Sequence, residues 1–206
     1  MAINLILLAA GEGTRMQSAM PKVLHQIASA PMIVHALAAT RDLDRDRTVL
    51  VLGSGADDIL DAVEGYDAVA VEQTERLGTA HAVLAAKDTL GTVGGDAIVL
   101  YGDTPFIRPQ TLQAMAEERA KGADVIVLGF EAADPARYGR LVMDGDALER
   151  IVEYKDASEA ERAITLCNSG VVMAATDTLM NLCGRVRNEN ASGEYYLTDI
   201  VALARA

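Results

Sequence analysis

The feature that most constrains this chain is a rhythm. Short apolar runs alternate with stretches of helical period over the first two-thirds of its 206 residues. Apolar runs at 3–8, 48–52, 67–71, 97–101 and 124–130 read as strands, and 31–41, 57–63, 78–88 and 109–121 read as helices. Strands that are apolar along their whole length are covered on both faces, as parallel strands are. Strands separated by helices of about ten residues make βαβ units with right-handed crossovers. The expectation is a Rossmann-like, doubly wound α/β sheet. In such sheets ligands bind beyond the C-terminal strand ends.

After Asp134 the rhythm changes. Residues 140–143 and 147–153 read as a hairpin around Asp144-Gly145-Asp146. Ser158 is placed as a helix N-cap with Glu161 at the capping-box position. A long strand at 166–175 follows, then helices near 178–187 and 195–205. No linker, repeat or charge block interrupts the chain. It reads as one domain over 1–206, with a nucleotide-binding part to about 130 and a small β-rich part from about 131. The second part is expected to extend the sheet, make it mixed and cover one end of it.

Composition narrows the function. Eighteen Lys and Arg stand against thirty Asp and Glu, a net charge of −12. Nucleic acid and anionic membrane surfaces need clustered cations, so neither is an expected partner. With no Trp and two Phe, aromatic platforms for single strands are not expected. Cys167 and Cys183 form no C-x-x-C pair, and three histidines make no zinc pattern. Buried, reduced thiols fit a cytoplasmic protein. The N-terminal apolar run lacks a basic flank and is too short for a span, so it reads as a buried strand.

The chemistry concentrates at strand ends. The first strand runs into L-L-A-A-G-E-G-T-R-M, residues 7–16, then M-P-K-V-L, residues 20–24. Small residues at Ala9, Ala10, Gly11 and Gly13 admit a ligand close to the backbone, where successive N–H groups hold anions. Arg15 and Lys22 add a rigid guanidinium fork and a mobile point charge. Met16 stands where the dinucleotide fingerprint needs glycine, which argues against a nicotinamide dehydrogenase, and no G-K-[ST] follows. Asp103, in Y-G-D-T-P, is either a magnesium ligand or a turn cap ahead of Pro105. Gln73 can pair with a base edge, and Thr79 can be a helix cap. Glu153 interrupts an apolar strand and Asn168 starts one; each can bind sugar hydroxyls or an amide, or serve as a satisfied edge residue. His25, His35 and His81 lie in apolar or helical contexts and read as structural.

L-A-A-G-x-G-T-R-M with the following P-K resembles the signature of sugar-phosphate nucleotidyltransferases. The later blocks Q-T-E-R-L-G-T-A-H-A, L-Y-G-D-T-P, Y-G-R, I-V-E-Y-K-D-A, N-S-G and G-E-Y-Y-L-T-D-I narrow the match. They resemble the uridyltransferase half of the bacterial bifunctional N-acetylglucosamine-1-phosphate uridyltransferase/glucosamine-1-phosphate acetyltransferases, in the family's order from about residue 3 to about 204. The resemblance implies the nucleotide-diphospho-sugar transferase type of fold. It implies that Leu8, Ala9, Ala10, Gly11, Gly13, Lys22, Gln73, Gly78 and Thr79 hold the nucleotide. Arg15 and Lys22 would be catalytic, and Asp103 would bind Mg2+. Tyr101, Gly102, Gly139, Glu153, Asn168, Tyr196 and Thr198 would face the sugar. The implied reaction joins UTP and N-acetylglucosamine 1-phosphate into UDP-N-acetylglucosamine, a cell-wall precursor, and pyrophosphate. The family's hexapeptide-repeat acetyltransferase region and its second metal ligand, an Asn, have no counterpart in these 206 residues, so no acetyltransferase activity is expected. Two alternatives stay open: transfer to another sugar phosphate or from another nucleotide, and a non-catalytic binder of nucleotide sugars.

Overall fold

The computed structural model describes residues 2–11, 16, 18, 20–91 and 94–206. Gly13 and Arg15 therefore lie outside the described residues. The chain runs β1 (Ile3–Leu8), a 3-10 turn (Lys22–Leu24), β2 (Gln26–Ile27), β3 (Ala30–Pro31), α1 (Met32–Ala39), β4 (Arg45–Leu52), α2 (Asp57–Ala62) and β5 (Val69–Glu72). It continues with α3 (Thr79–Ala85), α4 (Lys87–Leu90), β6 (Asp96–Tyr101), α5 (Pro109–Ala120), β7 (Val125–Glu131), β8 (Arg140–Asp144) and β9 (Ala147–Val152). The last elements are α6 (Glu159–Arg162), β10 (Leu166–Ala175), α7 (Thr176–Arg185), a second 3-10 turn (Leu197–Asp199) and α8 (Ile200–Arg205).

Among the described residues the main sheet has the order β5-β4-β1-β6-β10-β8-β9, with β7 on the other edge of β10. β5, β4, β1 and β6 are mutually parallel, as the apolar runs predict. The chain moves outward from β1 to β4 and β5, then crosses back to lay β6 on the other side of β1. That reversal is the switch point where α/β sheets open a crevice.

The parallel pattern stops at β6. β7 does not continue it beside β6: β10 is inserted between them, antiparallel to both. The reason is the length of β10. Val172 to Ala175 pair with β6, Leu166 to Asn168 run along β7, and Cys167 pairs with Arg140 of β8. One ten-residue strand thus stitches the late hairpin to the parallel half. Its register shifts between Asn168 and Val172, where Gly170 takes a φ of +92°.

Side-chain alternation along β1 separates two cores. Ile6 and Leu8 join Val51, Val99, Leu179 and Val201 on one face. Leu5 and Leu7 join Ile33, Leu37, Leu50 and Leu112 on the other. Both cysteines are free and buried, as expected. The Ser158 cap is also as expected: the Glu161 N–H donates to its Oγ at 3.3 Å, and its own N–H donates to Glu161 Oε2 at 2.7 Å. The Ser158 hydroxyl also donates to Glu161 Oε2 at 2.6 Å, and that bond, with the Ser158 N–H and Arg150 behind it, pulls the Glu161 carboxyl down to about 2.

Three helix boundaries differ from expectation. The 78–88 helix breaks at Ala86 into α3 and α4. The last helix begins only after the second 3-10 turn, because the Tyr195 backbone is already paired: its N–H donates to Leu77 O at 2.7 Å and its carbonyl accepts from Ala80 N at 2.9 Å. α7 starts at Thr176, directly after β10, and ends at Arg185.

Candidate active site

A cleft of about 320 Å³ opens at the switch point, beyond the C-terminal ends of β1, β5 and β6. It is large enough for part of a nucleotide sugar. Leu8, Ala9, Ala10 and Gly11 form one wall, Gln73, Gly78 and Thr79 another, and Tyr101 with Asp103 a third. Lys22 reaches in from the first 3-10 turn. The described residues expected at the nucleotide therefore meet in one place. Ala9 and Ala10 are buried, so larger side chains at either position would fill the wall against which a ligand can lie.

Two glycines set the shape of the cleft. A Cβ on Gly102 would lie 3.1 Å from Val23 Cγ1 and 3.4 Å from Ala9 Cβ, because the ends of β1 and β6 and the Lys22 turn converge there. A Cβ on Gly78 would lie 2.5 Å from Tyr195 O, and its φ of +124° already excludes most side chains. The segment around Tyr195 is thereby held against the start of α3. Thr79 strengthens that contact: its hydroxyl accepts from Leu197 N at 2.9 Å.

The charges at the mouth are opposed. Lys22 Nζ stands 2.5 Å from Asp103 Oδ2, and both side chains keep partial exposure. An ammonium and a carboxylate so placed can each turn to an incoming anion or cation. Asp103 offers a single carboxylate of the kind that can hold a divalent cation together with phosphate oxygens and water. No cluster of three or more His, Cys, Asp or Glu suited to a metal occurs among the described residues, so substrate oxygens would have to complete such a site.

On the far side of Tyr101 lies a smaller hollow lined by Asn168, Gly170, Leu197 and Thr198. A Cβ on Gly170 would strike the Tyr101 ring at 2.8 Å, so this glycine admits the ring. Burial pushes the Tyr101 phenol well above its ordinary range, against the opposing hydrogen bond with Thr79. Gly139 sits where a Cβ would be 3.4 Å from Glu153 Oε1 and 3.6 Å from Asn168 Cβ. Glu153 Oε1 accepts from Thr198 Oγ1 at 3.2 Å, and Asn168 Oδ1 accepts from Gly170 N at 2.9 Å. Burial raises the Glu153 carboxyl above its usual value despite the Thr198 bond, and Asp199, Asp156 and Glu194 add to the rise. Tyr196 stands near the same acids; burial raises its phenol against a hydrogen bond with Ser192. Gly139, Glu153, Asn168 and Thr198 are thus neighbours, with Tyr196 at their margin.

Residue patterns alone do not single out Arg76, Val23, Ala82 and Glu194, which also line the cleft. Arg76 Nη2 lies 3.0 Å from the Cβ position of Gly53, so that glycine leaves room for the guanidinium. The clue to Arg76 and Glu194 is position: each stands inside a block already marked, Q-T-E-R-L-G and G-E-Y-Y. Of the histidines, His35 is structural, with Nε2 2.6 Å from Ile27 O. His81 is placed differently, with Nδ1 3.2 Å from Gln73 Nε2.

A crevice at the switch point, lined by small residues and edged by a cation and a carboxylate, is the arrangement of a nucleotide-handling α/β protein. Residues 5–171 match the MobA-like NTP transferase domain, and the chain belongs to that family. Among curated proteins it is 58% identical over 206 residues to the bifunctional protein GlmU of Cereibacter sphaeroides, covering 99% of this chain and 45% of that protein. It is 52% identical to the bifunctional protein GlmU of Xanthobacter autotrophicus, covering 100% of this chain and 46% of that one. The chain thus spans about half the length of these relatives. Two solved structures share its fold. A UDP-glucose pyrophosphorylase complexed with UDP-glucose superposes with a TM-score of 0.84 at 19% identity, covering 99% of this chain and 87% of that one. A putative glucose-1-phosphate thymidylyltransferase from Bacillus anthracis gives 0.82 at 21% identity, covering 100% and 84%. No helix among the described residues is long and apolar enough to cross a membrane.

Proposed function

We propose that this chain is a nucleotidyltransferase that makes UDP-N-acetylglucosamine and pyrophosphate from UTP and N-acetylglucosamine 1-phosphate. The observation that carries the reading is the Lys22–Asp103 pair at the mouth of a small-residue cleft, in a chain 58% identical to a bifunctional GlmU. Residues to about 130 would hold the nucleotide, and the sugar would lie against those from about 131.

A phosphate oxygen of the sugar phosphate attacks the α-phosphorus of UTP. The new P–O bond forms as the bond to the β-phosphate breaks, and pyrophosphate leaves with the electron pair. The attacking phosphate is ionised at neutral pH, so no side chain has to remove a proton. Catalysis of this kind rests on alignment and charge stabilisation. Lys22 would turn from Asp103 to the phosphates and lower the repulsion between two anionic substrates. Arg15 would stabilise charge on the departing pyrophosphate. Bound Mg2+, with Asp103 as its protein ligand, would neutralise phosphate charge. Gly139, Glu153, Asn168, Tyr196 and Thr198 would take the sugar, with the Glu153 and Asn168 side chains offering hydrogen bonds to hydroxyls or to the acetamido group. The setting is intracellular synthesis of a cell-wall precursor.

Sugar selectivity tests the reading. The account expects N-acetylglucosamine 1-phosphate to exceed glucose 1-phosphate in kcat/KM by roughly tenfold or more, the scale of a lost acetamido hydrogen bond with its packing. Equal use of the two would reject the assignment of the Glu153–Asn168 side to N-acetylglucosamine.

A further inference from the structure

His81 is the third residue of α3, with its ring beside the cleft-lining Gln73, and residue type alone gives it no role. Its partner is the Gln73 side chain, at the end of β5. Gln73 is 6% exposed and fixed by its own backbone, whose N–H donates to Leu52 O at 2.8 Å. The Gln73 amide nitrogen lies 3.1 Å from Gly78 O and 3.2 Å from His81 Nδ1. A primary amide has two N–H donors and one carbonyl acceptor. Gly78 O can only accept. If His81 Nδ1 also accepts, both amide hydrogens are consumed, and the carbonyl oxygen is what Gln73 offers the cleft.

We infer that His81 is a positioning residue that fixes the amide of Gln73, so that the cleft presents a hydrogen-bond acceptor to the nucleobase. The inference rests on the uridine-nucleotide reading above. His81 must carry its proton on Nε2, leaving Nδ1 bare. With the proton on Nδ1, ring and amide would point donors at each other. Turning the amide over would relieve that clash but set its oxygen against Gly78 O. With the proton on Nε2, the observed distances let all three groups be satisfied at once. An acceptor at this point suits a base edge that carries N–H, as the N3 position of uracil does. It repels a bare ring nitrogen at the same place, as in cytosine. Selection of this kind arises because a mismatched base leaves a buried polar group unpaired.

The test compares the chain with His81→Leu, which removes the acceptor, and His81→Asn, which can return one through its side-chain oxygen. The readout is the ratio of kcat/KM for UTP over CTP, with melting temperature as a check on folding. His81→Leu should lower the ratio by about tenfold, mostly through a higher KM for UTP, and His81→Asn should recover most of it. A folded His81→Leu with an unchanged ratio overturns the inference. Long-range 1H–15N spectra of the unaltered protein give a second reading that needs no turnover. Nδ1 of His81 should be unprotonated, and a proton found there overturns the inference even if UTP is the substrate. If no nucleotide is transferred, the function proposed above fails. His81 is then judged by the spectra and by the ratio of UTP to CTP dissociation constants.

Discussion

Lys22 and Asp103 lie 81 residues apart in sequence and 2.5 Å apart in space. Each keeps partial exposure, so their mutual attraction is weak enough to be exchanged for substrate contacts. Lys22→Ala should therefore lower kcat by roughly 10² to 10³, the scale of a lost preorganised charge donor, with little change in melting temperature. A steady-state assay showing less than a few-fold loss would remove Lys22 from the mechanism. Glu153 behaves oppositely. Its carboxyl is raised in the folded state, chiefly by burial. The stability it contributes is full below its unfolded value and lost as pH rises through the raised folded value. Glu153→Gln should thus melt higher than the parent near pH 8, and the gap should close as pH falls below the ordinary carboxylate range. Melting curves across that range decide it; a constant gap would contradict the burial argument. That Lys22 lies in the first loop and Asp103 at a strand end beside it was legible from the sequence; Glu153 was singled out for the sugar only through the family resemblance. The role of His81 was not legible, because it depends on which atom of Gln73 it faces.

At the scale of elements, the local signals were strong where short-range physics decides. β1, β6 and the Ser158 cap follow from apolar runs and capping chemistry. The β2–β3 hairpin escaped because its turn residues, Ala28 and Ser29, take φ of +48° and +69° without the glycine or asparagine that normally marks such a turn. The last helix starts later than its sequence predicts because Tyr195 is held by Leu77 and Ala80, over a hundred residues away in the chain. Gly78 makes that contact possible. Gly78→Ala should destabilise the protein by roughly 1–3 kcal/mol, combining a disfavoured φ with a clash against the Tyr195 backbone. Gly184→Ala is the contrasting case: exposed in α7, with open space around its Cβ position, it should stabilise by about 0.5–1 kcal/mol. Denaturant melts of the pair test the claim; equal shifts would refute it.

Across the whole molecule, the class of fold was legible and the strand order was not. The parallel half follows from apolar runs, of which β1 and β6 are buried almost throughout while β5 lies at the exposed edge. Nothing local in β10 shows that it enters between β6 and β7, because pairing over tens of residues is settled by which faces remain to be covered. The insertion matters for function. It brings Asn168 to a hollow on the far side of Tyr101 from the cleft, with Gly139 and Glu153 of the β8–β9 side beside it. One continuous sheet thereby joins the strands that carry the nucleotide-side wall to β10, which carries Asn168.

The most direct measurement is pyrophosphate release from UTP and N-acetylglucosamine 1-phosphate during a magnesium titration, with the nucleotide sugar identified as co-product. The account predicts release that depends on magnesium and yields one UDP-N-acetylglucosamine per pyrophosphate. No release at any magnesium concentration, from folded protein that still binds UDP-N-acetylglucosamine, would contradict it and leave a binding fold without the proposed chemistry.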